Sequence, residues 1–303
     1  DDDANGYVDD VYGWDFANND NDPMDDFGHG THTAGTIAAV GNNGIGVVGV
    51  SWQARVMSLK FMGANGSGTL EAAAQAVLYA ARMGARVSSN SWGCLGKACF
   101  SQTLLDAINE ANQQGMLFVA AAGNDNNDND RTPTYPCNYD APNVLCVAAS
   151  DYNDQRATFY TLPYIYTWAS NYGAVNVDLA APGLNILSTV PSGTCPLCSA
   201  SGYLYLSGTS MATPHVAGAA ALAITKYSAL AADQIKSLLI GSVDALSSLS
   251  GITVTGGRLN VNTALHENIV VSASPVSMTA AAGQSMSTTI TYSRWTISAV
   301  PLH

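Results

Sequence analysis

A chain of 303 residues, 47% of them hydrophobic, is long enough to bury a large core, as one α/β domain or as one domain with a small appendage. Only 11% of residues are charged and the formal net charge is −12, which argues against nucleic acid or an anionic membrane surface as a partner and favours solubility or cation binding. No run approaches the roughly 20 apolar residues of a membrane span, and no basic segment followed by an apolar core opens the sequence.

Ten of the 23 acidic residues fall within the first 26 positions, with Asn and Gly filling most gaps. There, DDDANGYVDD spaces Asp1, Asp3, Asn5 and Asp9 as alternating oxygen ligands around a bend at Gly6, the pattern of a calcium loop. The twelfth position is Tyr12, where an EF-hand carries Glu, so closure falls to Asp10 or another donor. A solvated acidic loop is the plain alternative.

Further along, residues 30–40 read as a small-residue helix, 54–61 as a strand, 69–83 as an Ala-rich amphipathic helix and 85–89 as a short buried strand. A helix over 101–114, an apolar strand over 116–121 and a strand around 144–149 follow. This alternation predicts a parallel sheet covered by helices, with right-handed crossovers stacking the strands in one sheet. Residues 210–228 form the strongest helix signal, with Pro214 in its first turns, where a missing N–H does little harm, and a helix over 232–241 follows. Beyond His266 the pattern changes to small, polar and β-branched residues such as SMSTTITYS. Residues 1–265 are therefore read as one domain, and 266–303 as the opening of a β-rich extension too short to hold a core alone.

Six cysteines occur as near neighbours: Cys94 with Cys99, Cys137 with Cys146, and Cys195 with Cys198. This suits three local disulfides in an oxidising compartment and hence a secreted protein. A zinc site would need a second CxxC or a nearby His, and a redox CxxC would open a helix rather than sit in a loop of Ser, Gly and Pro.

The residues that carry chemistry are His29 in GHGTHTAG, Asn124 in VAAAGND and Ser210 in SGTSMATPHVAG. A serine hydroxyl is a poor nucleophile near neutral pH and needs an imidazole to take its proton. Only His29 and His32 sit in a glycine-framed turn that opens a helix, whereas His215 lies a turn into the helix begun by Ser210. The N–H of Ser210 at a helix N-terminus supplies half an oxyanion hole, and the carboxamide of Asn124, after Gly123 at a strand end, supplies a second donor. Taken singly, each has a plainer reading: helix capping for the His29 and Ser210 segments, a turn for Asn124, packing for Trp92.

GHGTHTAGT, AAAGND and GTSMATPHVAG, in this order, closely resemble the His, Asn and Ser blocks of subtilisin-like serine proteases, and GNNGIGVVGV, NSWG, LAAPG and GGRLNV are similar to further landmarks over roughly residues 7–265. The resemblance implies a three-layer α/β fold with a mainly parallel central sheet flanked by helices. It implies a serine endopeptidase that works through an acyl-enzyme, with His29 as base, Ser210 as nucleophile and Asn124 as oxyanion donor. A polypeptide substrate would lie extended between one strand ending in Ser91, Trp92 and Gly93 and another ending in Ala121, Ala122 and Gly123. The small residues at the second edge predict a broad, apolar preference before the cut. The resemblance also assigns Asn43 to a calcium ion, against the plain reading of an Asn-Gly turn, and a monomer is expected.

The sequence departs from the family at its front, where an Asp followed by Thr or Ser and then Gly should orient the histidine. No such tripeptide precedes His29; Asp15 lies in GWDF and Asp22 in NDNDP. The orienting Asp is expected upstream of Asp1, on a missing first strand beyond which a pro-segment lies, and residues 1–303 alone are expected to have little activity. The competing reading is a non-catalytic, calcium-binding relative that keeps the fold. An α/β-hydrolase esterase fits less well, because GTSMA is not GxSxG and its histidine should follow the serine in a suitable loop.

Overall fold

The central strands are apolar along their whole length because helices cover both faces, so successive side chains enter two different cores. The computed structural model describes residues 5–161, 166–266, 269–274 and 289–294. The strands are β1 Gly13–Asp15, β2 Ser58–Lys60, β3 Val87–Asn90, β4 Cys94–Leu95, β5 Leu117–Ala121, β6 Thr134–Tyr135, β7 Val144–Ser150, β8 Thr158–Thr161, β9 Tyr166–Ala169, β10 Leu179–Pro182, β11 Ile186–Thr189, β12 Tyr203–Leu206, β13 Asp244–Ala245, β14 Gly257–Arg258, β15 Ile269–Ser274 and β16 Thr289–Arg294. The helices are α1 His29–Ala38, α2 Leu70–Arg82, α3 Gln102–Gln113, α4 Thr209–Lys226, α5 Ala232–Gly241 and α6 Val261–His266.

Six strands form the main sheet in the order β13-β14-β10-β7-β5-β3, parallel except where β13 meets β14. Phe118, Ala120, Cys146 and Ala148 pack with Val77 of α2 and Leu104 and Ile108 of α3. Their neighbours Leu117, Val119, Leu145 and Val147 pack with Val216 and Ala220 of α4 and Ile235 and Leu239 of α5. This is the three-layer arrangement the alternation predicts. The predicted helices appear within a few residues of their expected bounds. The Thr69 hydroxyl accepts the Ala72 N–H (3.1 Å) and Ser101 accepts that of Leu104 (3.3 Å), capping α2 and α3.

Three elements differ from expectation. The strand expected over 54–61 shrinks to Ser58–Lys60, which pairs along one edge only, with β1. Strand β1 itself, GWD, is hidden in sequence by the acidic residues around it. The hairpin β11–β12, which leads into α4, also lacks a clean alternating signal. All three disulfides form as predicted, Cys94–Cys99, Cys137–Cys146 and Cys195–Cys198. Strands β15 and β16 pair with each other in antiparallel register.

Between β2 and β3 the sheet is interrupted. The two-stranded β1–β2 piece is not hydrogen-bonded to the six-stranded sheet, and β3 is that sheet's edge. A groove of about 2060 Å³ runs between them, with Leu59, Lys60 and Phe61 on one wall and Val87, Ser88, Ser89 and Asn90 on the other. Ala73, Ala76 and Val77 of α2 line it, as do Ile37 of α1 and Ala217, Ala221 and Ile224 of α4. A small-molecule pocket is about 300–1,000 Å³, so this is space on the scale of a chain segment.

Candidate active site

Helix α1 begins at His29 because the chain turns sharply at Gly28, whose φ of 99° suits glycine. Gly28 has no side chain to cap the helix, and Asp25 does so from outside. One carboxylate oxygen of Asp25 accepts the N–H groups of Phe27 (3.1 Å) and Gly28 (2.7 Å), and the other accepts the N–H and hydroxyl of Thr31, each at 2.7 Å. Burial alone would raise the Asp25 pKa, but these bonds outweigh it and hold the carboxyl below its ordinary value. His29 is half-buried at the head of the helix. Burial lowers its pKa and nearby His32 lowers it further, with a partial offset from Asp25, so the imidazole is neutral at pH 7.

Two of the other described histidines, His32 and His215, are structural. His32 is fully buried, with Nε2 3.1 Å from both the Ile186 and Leu204 carbonyls of the β11–β12 hairpin. His215 Nδ1 lies 2.8 Å from the Met211 carbonyl one turn back in α4. Among the described residues no carboxylate hydrogen-bonds His29. Asp15, 1% exposed, pairs with Lys60 Nζ at 2.6 Å and accepts the N–H groups of Ala17 and Asn18. Asp22 accepts the Met24 N–H.

Ser210 is the second residue of α4, where its N–H precedes any intrahelical acceptor. Its hydroxyl donates to the Ser91 carbonyl (3.1 Å), and the Ser91 hydroxyl donates back to the Ser210 carbonyl (2.8 Å). Pro214 explains the second bond: four residues on, it lacks the N–H that would otherwise take the Ser210 carbonyl. Asn124 meets the same turn. Its Oδ1 accepts the Thr209 N–H (2.9 Å) and the Thr209 hydroxyl (3.1 Å), while Thr209 Oγ1 also accepts the Gly123 N–H (3.2 Å). A backbone N–H can only meet an acceptor, so the carboxamide orientation is fixed and Nδ2 remains its donor. Asn124, Ser210 and Ser91 are thus joined through short contacts. His29 lines the groove wall together with Ser91, Trp92 and Gly93, and no hydrogen bond links it to Ser210.

The expected substrate edges fare differently. Ser91, Trp92 and Gly93 follow β3 and line the groove, with Trp92 edge-on to Phe61 (5.1 Å between centroids) and donating from Nε1 to Asn90. Ala121, Ala122 and Gly123 do not form a free edge. Ala122 N–H bonds the Val147 carbonyl, the Ala122 carbonyl accepts from Asn129 and Asn171, and both polar groups of Gly123 are taken by Thr209 and Asn171. Main-chain pairing with a peptide finds no open donor at Ala122 or Gly123. Met62, Gly63 and Gly66 also line the groove.

Of the expected calcium ligands, Asn5 and Asn43 are engaged in turns. Asn5 Oδ1 accepts the Tyr7 N–H and its Nδ2 donates to Asp10 (2.8 Å), while Asn43 Oδ1 is used by the Ile45 N–H (3.0 Å) in a simple turn. Asp9 adopts a left-handed conformation and is exposed; Asp1 and Asp3 lie outside the described residues. Among the described residues no three His, Cys, Asp or Glu side chains are grouped to hold a metal. No step below passes through a metal ion. Nor is any helix among the described residues long and apolar enough to cross a membrane.

This fold and this cluster define a class. A family model described as the Subtilase family matches residues 1–270, and the chain belongs to that family. Thermitase of Thermoactinomyces vulgaris is 40% identical over 250 residues, covering 82% of this chain and 79% of that protein. Subtilisin Savinase of Lederbergia lenta is 42% identical over 225 residues, covering 74% and 73%. Among solved structures, a protease from Pseudoalteromonas arctica PAMC 21717 superposes with a TM-score of 0.67 at 35% identity, covering 78% of this chain and 70% of that one. A cold adapted subtilisin-like serine proteinase does so with a TM-score of 0.64 at 34% identity, covering 82% and 78%.

Sequence reasoning missed Asp25 and Thr209. Asp25 stands four residues before His29 and Thr209 directly before Ser210, so proximity to the motifs was the available signal.

Proposed function

We propose that the chain is a secreted serine endopeptidase acting on polypeptides. The observation that carries this reading is the Asn124 carboxamide, held through its oxygen by Thr209, the residue before Ser210 at the head of α4, which leaves Nδ2 as its donor. Its relatives' names, thermitase, subtilisin and serine proteinase, agree with it. In this mechanism the Ser210 hydroxyl turns from the Ser91 carbonyl to His29, which takes its proton as Oγ attacks the scissile carbonyl carbon. The oxyanion is held by Asn124 Nδ2 and the Ser210 N–H, aided by the positive end of α4. His29 then gives the proton to the leaving amine, and water hydrolyses the acyl-enzyme by the same route in reverse.

A carboxylate that orients His29 completes the machinery. We assign it to a strand filling the groove between β2 and β3, its carboxyl end beside His29, so residues 1–303 alone turn over slowly. Three disulfides among the described residues support a protein matured in an oxidising compartment. The alternative, a non-catalytic relative, draws on two observations: among the described residues no carboxylate hydrogen-bonds His29, and the Ser210 hydroxyl donates to the Ser91 carbonyl.

Labelling with a fluorophosphonate probe followed by peptide mapping separates the two. The expected result is modification at Ser210 that disappears in Ser210→Ala. Label on another residue, or equal labelling of Ser210→Ala, would overturn the protease reading.

A further inference from the structure

The loop that carries Asn124 is gripped on both sides by one buried side chain. Asn171 follows β9 and is 0% exposed. Its Oδ1 accepts the N–H groups of Asp125 (2.8 Å) and Asn127 (3.0 Å), downstream of Asn124. Its Nδ2 donates to the Ala122 carbonyl (2.9 Å), upstream of Asn124, and lies 3.2 Å from both Asn129 Oδ1 and Thr134 Oγ1. Its own N–H donates to the Gly123 carbonyl (2.8 Å). Residues 122, 123, 125 and 127 are all tied to Asn171, and Asn124 lies between them.

Two features make this grip stiff. The site admits Asn171 because position 123 is glycine: a Cβ there would run into Asn171 Nδ2, and the φ of 104° already favours glycine. Behind it, Asn129 donates to the same Ala122 carbonyl (2.9 Å), and the Ser170 hydroxyl, which accepts the Ala149 N–H of β7, donates to the Asn171 carbonyl (2.8 Å). A buried network whose members are satisfied holds one geometry. The chemistry also restricts the residue type. Only a carboxamide accepts at one atom and donates at the other, and a carboxylate at the same place would accept only.

We infer that Asn171 is a positioning residue for the oxyanion donor: it sets where Asn124 Nδ2 stands, acting through the backbone of residues 122–127, while Thr209 sets which way the carboxamide faces. This rests on the serine-protease reading above. Asn171 touches neither substrate nor nucleophile, so its removal alters the rate of the chemical step and leaves ground-state binding unchanged.

The test is the saturation kinetics of Ser210 phosphonylation by a fluorophosphonate, measured for the full chain, Asn171→Asp, Asn124→Ala and the double variant. Asn171→Asp should lower kinact by about 10- to 100-fold, the scale on which small misplacements are felt, with KI unchanged. In the Asn124→Ala background the same substitution should cost nothing further, because the group it positions is gone. If Asn171→Asp does not fold by near-UV circular dichroism, Asn171→Ser, smaller and with its hydroxyl still able to accept, is carried through the same cycle. Unchanged kinact, or an equal loss with and without Asn124, would overturn the positioning role while leaving the protease reading intact. Absence of label at Ser210 in the parent chain would remove that reading and this inference together.

Discussion

At the scale of single residues, the proposed base is tuned by its surroundings, and among the described residues no carboxylate hydrogen-bonds it. His29 is depressed by burial and by His32, so the neutral imidazole persists to lower pH than in free histidine. A base must be unprotonated to work, so the rate of Ser210 labelling should rise with pH along a limb centred below the value of about 6.5 of an unperturbed imidazole. A limb centred above that value would mean that a carboxylate already faces His29. Asn124 makes the matching case for the acceptor side. Loss of its donor in Asn124→Ala should slow the reaction by about 100- to 1000-fold, the loss measured for the corresponding donor of a subtilisin, with thermal stability little changed.

At the scale of elements, two helix heads hold the proposed catalytic residues, and each is shaped by one residue a few positions away. Pro214 withholds an N–H from the Ser210 carbonyl, which Ser91 then occupies. Pro214→Ala restores that N–H, and it should compete with Ser91, draw the Ser210 turn back into regular helix and slow labelling while the Tm does not fall. Asp25 caps α1 from four residues before His29, and Asp25→Ala should cost about 0.5–2 kcal/mol in denaturant unfolding at pH 7. Because the folded-state pKa of Asp25 is lowered, its stabilisation is complete above the ordinary carboxylate value and fades as pH falls through the depressed one. The gap between parent and variant should therefore close in acid. Motifs made legible what local chemistry dictates: the glycine-framed turn at His29, the GTS at the head of α4, the apolar runs of β5 and β7. They could not reveal that Ala122 and Gly123 spend their backbone groups internally, since the partners Asn129, Asn171 and Thr209 come from other parts of the chain. Asn43 and Asn5 show the same limit: ligand-like spacing does not tell which of their oxygens a backbone N–H occupies.

At the scale of the molecule, the open question is the interrupted sheet. The groove between β2 and β3 lies under α2 on one side and α1 and α4 on the other, so a strand placed in it would be apolar on both faces, like β5 and β7. His29 lines this groove together with Ser91, which follows the carboxyl end of β3. In parallel sheets, chemistry gathers at carboxyl ends, so an acid closing such a strand is the natural partner for His29. A chain extended at its amino end by an apolar strand closing on Asp-Thr-Gly should therefore melt higher and label at Ser210 about 10⁴-fold faster than residues 1–303. Changing that added Asp to Asn separates the two effects: the gain in Tm comes from buried apolar area and should stay, while the gain in rate comes from orienting the imidazole and should vanish. Melting curves and labelling rates on the three proteins check it. An extension that raises neither quantity would show that the groove is not a strand site, and an Asn variant as fast as the Asp one would show that His29 is oriented by something else.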